Sequence, residues 1–169
     1  IESFLALHGF PPAKVVLRDW LREPSVRRYK QRAMQAAVAE SPCPVILVGD
    51  DTEHDPEVFS EVGKRFPGKI LAIYVRVVKG RELPEGCRGF FTAFDIACAE
   101  LAAGRLANEQ VLKVGEAVLQ SERYVIPWFS LMPPLHFAPF LSGPDEAILE
   151  VWHKIQAMLR ALPKRNRKK

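Results

Sequence analysis

The sequence predicts an α/β fold built on a parallel sheet, and two observations carry that reading. Between residues 14 and 78, short apolar runs suited to strands alternate with stretches of helical period, the order strand, helix, strand, helix, strand expected of βαβ crossovers. One of these runs, Cys43 to Asp50, shows no polar alternation, as in a strand covered on both faces of a parallel sheet.

Each element has its own local reason. Ile1, Phe4, Leu5 and His8 share a helical face, and Pro11-Pro12 closes that helix. Lys14 to Trp20 is apolar and β-branched and reads as the first strand. Pro24 and Ser25 suit a helix start; Val26, Tyr29, Met34, Ala37 and Val38 keep its period until Ser41-Pro42. After the run from Cys43 to Asp50 comes a helix with Asp55 as N-cap, Pro56 in its first turn and Gly68 beyond its end. Lys69 to Val78 is the third strand. From Glu85 the pattern turns helical, and Asn108 to Glu122 continues it. Trp128, Phe129, Met132, Phe137 and Phe140 mark a Pro-rich, aromatic cover, followed by an amphipathic helix from Asp145 to Arg160. The result is a Rossmann-like sheet with flanking helices over residues 1–105, and a helical extension with a basic tail over residues 106–169.

Charge separates the two ends. The net charge is +4, yet Lys164 to Lys169 carries five positive residues and no acidic one, so the body is close to neutral. That distribution speaks against a nucleic-acid partner, which needs a basic surface around the site. It suits a peripheral contact of the last helix and tail with anionic lipid, with a docked helix and a disordered tail as the alternative. Cys43, Cys87 and Cys98 have no metal-binding spacing and read as free thiols of a reducing, cytoplasmic protein. No run of 18 apolar residues marks a membrane span.

The densest chemistry lies after Gly49. Asp50, Asp51, Glu53 and Asp55 fall within seven positions, and ligands of open parallel sheets bind beyond the carboxyl ends of strands. A magnesium ion would relieve the repulsion, since it takes one or two carboxylates together with waters and a phosphate. Asp50, Asp51 and Asp55 are the candidate ligands; a solvated turn and an N-cap are the plain alternatives. Gly49 permits either a close backbone approach or an unusual dihedral. Lys30 stands one helix earlier, where an ammonium can hold a phosphoryl group, or simply belong to a basic helix face with Arg27, Arg28 and Arg32. Arg18, at the end of the expected first strand, and Arg76, at the end of the third, are candidates for an anionic headgroup, with local ion pairs as the alternative.

The stretch "FLALHGFPPAKVVLRDW", the helix bearing Lys30, and "PVILVGDDTEHDPEVFSEVGKRFPGKILAIYVRVV" resemble the catalytic domain of the actin-patch-associated phosphatidate phosphatase family, of the haloacid dehalogenase superfamily. The resemblance covers roughly residues 1–105. It implies a haloacid dehalogenase-like fold and magnesium-dependent hydrolysis of phosphomonoesters such as phosphatidate, through an aspartyl-phosphate. It also implies that Lys30 holds the phosphoryl group, that Asp50 is a catalytic metal ligand and that Asp51 or Asp55 is the second. The nucleophile of that superfamily lies in a D-x-D-x-T motif, and no D-x-D occurs in these residues. The expectation is therefore the C-terminal portion of a phosphatase domain, inactive as a lone chain, whose nucleophile comes on a further strand beside Val45–Asp50. The competing reading is a non-catalytic Rossmann-like module that binds anionic lipid or a protein partner.

Overall fold

A computed structural model of the chain describes residues 2–7, 9, 11–19, 21–121 and 145–161. The aromatic cover around Trp128 to Phe140, the tail from Lys164 to Lys169, and Ile1 and His8 of the first helix lie outside the described residues.

Helix α1 (Glu2–Leu7) is followed by residues 11–19 without regular structure, which corrects the strand expected from Lys14. A strand exists only as a partner in a ladder, and β-branched side chains alone do not supply one. Val16 and Leu17 are exposed, and the Val16 carbonyl instead accepts the Tyr29 hydroxyl at 2.9 Å. Asp19 then turns the chain, its carboxylate accepting the N–H of Leu21 at 3.1 Å and its carbonyl that of Glu23 at 2.9 Å.

Helix α2 (Val26–Glu40) begins as expected, with the Ser25 hydroxyl accepting the N–H of Arg28. At its far end the Lys69 ammonium donates to the carbonyls of Val38, Ala39 and Ser41, each at 3.1 Å, and so satisfies groups a helix terminus leaves open. Strand β1 (Val45–Asp50), helix α3 (Asp55–Arg65) and strand β2 (Ile70–Arg76) follow the predicted alternation. Strand β3 (Cys87–Phe90) was hidden within the stretch read as helical, because four residues are too few to show a period. It pairs in parallel with β2 from Ile73↔Cys87 to Arg76↔Phe90, giving a parallel sheet of order β1-β2-β3 among the described residues.

One face of the sheet is sealed. Leu47, Ile73 and Val75 pack with Val38 of α2 and Val58, Phe59 and Val62 of α3. On the other face helix α4 (Ala93–Ala102) covers β2 and β3, where Tyr74, Phe90 and Ala99 are buried together. It does not reach β1: Ile46 is 38% and Val48 54% exposed. This corrects the expectation of a strand buried on both faces, since among the described residues β1 is an edge with one open face.

The remaining helices, α5 (Asn108–Gln120) and α6 (Glu146–Ala161), pack on α4 in a single cluster. Phe91, Phe94, Ala97 and Cys98 meet Val111, Ile148, Ile155 and Leu159 there, so the core runs across position 105. A Cβ at Gly115 would collide with Val151 and Phe94, so the close approach of α5 and α6 depends on glycine. Ile148, Ile155 and Leu159 of α6 are thus core, while Leu149, Val151, Trp152 and Met158 of the same helix stay half-buried. Among the described residues no helix is long and apolar enough to cross a membrane.

Candidate functional site

Helix α2 is fixed on α3 before any functional group is placed. Gln31 Nε2 donates to Glu61 Oε2 at 2.8 Å, and Arg27 pairs with the same carboxylate. That registration sets the neighbouring Lys30 over the start of α3. Its Nζ donates to Asp55 Oδ1 at 2.6 Å and lies 2.9 Å from Glu53 Oε2. Burial works against the Lys30 charge, but the Asp55 and Glu53 carboxylates outweigh it and hold the ammonium above the ordinary lysine range. The Lys30 hydrogen bond and charge hold Glu53 below the usual carboxylate range. Asp55 is the first residue of α3 and His54 its N-cap, which corrects the N-cap expected at Asp55. The Asp55 carboxylate is engaged with Lys30, and among the described residues it closes no bond to the helix N–H groups.

Asp50 ends β1, opposite Arg76 of β2 in the ladder. Its Oδ1 accepts the Thr52 N–H at 2.8 Å and also the Thr52 hydroxyl. Its Oδ2 takes no hydrogen bond among the described residues. Burial lowers the pKa of Arg76 while the Asp50 charge opposes that shift, and among the described residues the buried Arg76 Nε has no hydrogen-bond partner. Between β1 and α3, Gly49 settles which of its two uses applies: a Cβ there would lie 2.6 Å from Asp55 Oδ2 and 2.8 Å from Phe59 Cε2. The glycine is needed for a close approach, one that brings Asp55 over the strand end beside Asp50.

Asp51 faces elsewhere. It is fully buried, and the N–H groups of Val78 and Lys79 donate to Oδ1, each at 2.8 Å, while those of Gly80 and Arg81 donate to Oδ2 at 2.7 and 3.2 Å. Burial alone would raise its pKa, yet these four backbone donors bring it below the ordinary range. The loop after β2 thus forms an anion nest whose anion is the chain's own carboxylate. Asp50, Asp51 and Asp55 are not gathered as one set, and among the described residues no three His, Cys, Asp or Glu side chains are grouped to hold a metal.

Lys79 and Arg81 belong to the site and were not singled out from the sequence. The Lys79 ammonium donates to the Thr52 carbonyl; Arg81 donates to the Glu53 carbonyl at 2.6 Å and pairs with Glu57. With Val26, Thr52, Glu53 and His54 they line a cavity of 480 Å³. The signal was present: residues after β2 lie at the same carboxyl edge as residues after β1. Arg18 is not brought in. It sits in the irregular segment, and no hydrogen bond or ion pair joins it to the acidic loop among the described residues.

The comparison with protein families falls on the segment that carries β1, α3 and β2. Residues 1–77 match the family model of phosphatidate phosphatase APP1, catalytic domain. The phosphatidate phosphatase match takes in Lys30, Asp50, Asp55 and Arg76, and it ends before the 78–81 loop that encloses Asp51. It is the family that the sequence motifs resemble. Searches of curated proteins and of solved structures gave no match to the chain.

Proposed function

We propose that the chain supplies the lysine and metal-ligand half of a haloacid dehalogenase-like phosphatase site acting on phosphomonoesters such as phosphatidate. The observation that carries this reading is the Lys30–Asp55 contact of 2.6 Å, made over Gly49 and beside Asp50 at a strand's carboxyl end. The donor set suits magnesium: two hard carboxylates, Asp50 and Asp55, leave room for waters and a substrate phosphate. Asp51 is already saturated by backbone donors, which makes Asp55 the second ligand in this reading. When bound, the ion would neutralise charge on the phosphoryl oxygens and orient them.

The protein's own residues have separate tasks. Lys30 would hold a phosphoryl oxygen through a charge-assisted hydrogen bond. Arg76, whose buried Nε has no partner among the described residues, would favour the anionic side of the Asp50 strand end. The attacking carboxylate would arrive on a strand that pairs with the open edge of β1, where Ile46 and Val48 offer an apolar face. The test is phosphate release from phosphatidate by the polypeptide that contains this sequence together with such a strand. Magnesium-dependent release is expected, and Asp50→Asn should abolish it. Full activity in that variant would remove Asp50 from the metal site. Absence of turnover under all metal conditions would favour a non-catalytic binding module.

A further inference from the structure

We propose that the cavity lined by Val26, Thr52, Glu53, His54, Lys79 and Arg81 is the entry subsite for the phosphate headgroup, and that Glu53 is its gate, occupying Lys30 until phosphate displaces it. This rests on the reading of Lys30 as the phosphoryl-binding residue.

The two carboxylates on Lys30 are not equivalent. Asp55 is 17% exposed and sits on the first turn of α3, under the Gly49 approach. Glu53 is 55% exposed, lies in the bend between β1 and α3, and lines the cavity as well as touching Lys30. Displacing Asp55 means disturbing a packed contact, whereas Glu53 can rotate into water. An exposed ion pair is weak, so the exchange costs little. The incoming phosphate restores the negative charge that Glu53 withdraws.

The loop is built to let that side chain move alone. Asp51 is clamped on one side of Glu53 by four backbone N–H groups, and Asp55 is held on the other side by Lys30. Arg81 fixes the Glu53 carbonyl itself at 2.6 Å. The backbone is therefore anchored at, before and after the gate. Lys79 uses one ammonium donor on the Thr52 carbonyl, which leaves others for a phosphate oxygen in the cavity.

The test is a titration of the full chain with inorganic phosphate, without divalent ions, followed by amide shifts at Lys30, Glu53 and Lys79. Glu53→Gln and Glu53→Asp are compared with the wild type. The first removes the charge; the second keeps it on a side chain too short to reach Lys30. Both should tighten phosphate binding, by about threefold. Tightening in Glu53→Gln alone would show a general field effect and overturn the gate, as would no change in either. Lys30→Gln, which keeps a donor for Asp55, should abolish the response. If it titrates like wild type, the Lys30 reading fails, and the gate with it. If Lys30→Gln loses binding while both Glu53 variants match wild type, only the gate fails.

Discussion

Two acidic clusters flank the sheet, and they are built on opposite plans. Beneath α4, Tyr74 Oη donates to Glu100 Oε1 at 2.6 Å, and Arg105 donates to Oε1 at 2.7 Å and to Oε2 at 2.5 Å. Arg105 and Tyr74 together hold Glu100 below the usual carboxylate range against its burial. Burial first, and then the Glu100 hydrogen bond, push the Tyr74 phenol up to about 12. Both Glu100 oxygens are matched by the chain itself, and its side chain is 8% exposed. At the carboxyl edge, Lys30 also meets two carboxylates, but one of them, Glu53, is more than half in water. A closed network fixes a fold; an open one keeps a partner that a ligand can replace.

If closure is what ties a carboxylate to stability, Asp51 should matter most, since it anchors the open loop from within. Asp51→Ala takes the acceptor from four half-buried backbone N–H groups and should cost about 2–3 kcal/mol in urea denaturation. Gly49→Ala comes next: its Cβ meets Asp55 and Phe59, and overpacking of this kind costs about 2 kcal/mol. The same variant should weaken phosphate binding, because Asp55 is the packed contact that positions the Lys30 ammonium and, unlike Glu53, does not yield its place to a ligand.

Glu100→Gln should cost about 1 kcal/mol at neutral pH, and less in acid. The folded carboxyl has the lower pKa, so its contribution is complete above the unfolded value of about 4.3 and is lost as pH falls through the folded one. Urea melts of wild type and variant should therefore converge as the pH falls below about 4. A constant gap would mean that shape and not charge matters at this position. In an alkaline absorbance titration, one of the three tyrosines should ionise only near pH 12, and Tyr74→Phe should remove that late step. The smallest effect belongs to Glu53→Gln, which should leave the denaturation midpoint nearly unchanged because the Glu53 side chain is more than half exposed and Lys30 keeps Asp55. A clear loss of stability there would erase the distinction between the two clusters.

The parts of the site that were legible in the sequence obey local or positional rules. Asp50 and Asp55 could be placed at a strand's carboxyl end because an apolar run, a glycine and an Asp-Pro helix start follow one another directly. Lys30 was a candidate from the helix before it and from the family resemblance. The role of Asp51 was not legible, because its donors lie 27 to 30 residues further along the chain. Nothing in the local sequence separates it from Asp50.

By itself the sequence determined the helices, the strands β1 and β2, and the edge at which polar chemistry collects, since caps, breakers and apolar period act over a few residues. Tertiary structure decided the rest. Among the described residues it denied 14–19 a ladder, recruited Cys87–Phe90 into one, left a face of β1 open, and divided three neighbouring aspartates between a backbone nest and a half-buried strand end. Strand pairing and carboxylate burial both depend on which distant backbone groups come within reach, and only the folded chain fixes that.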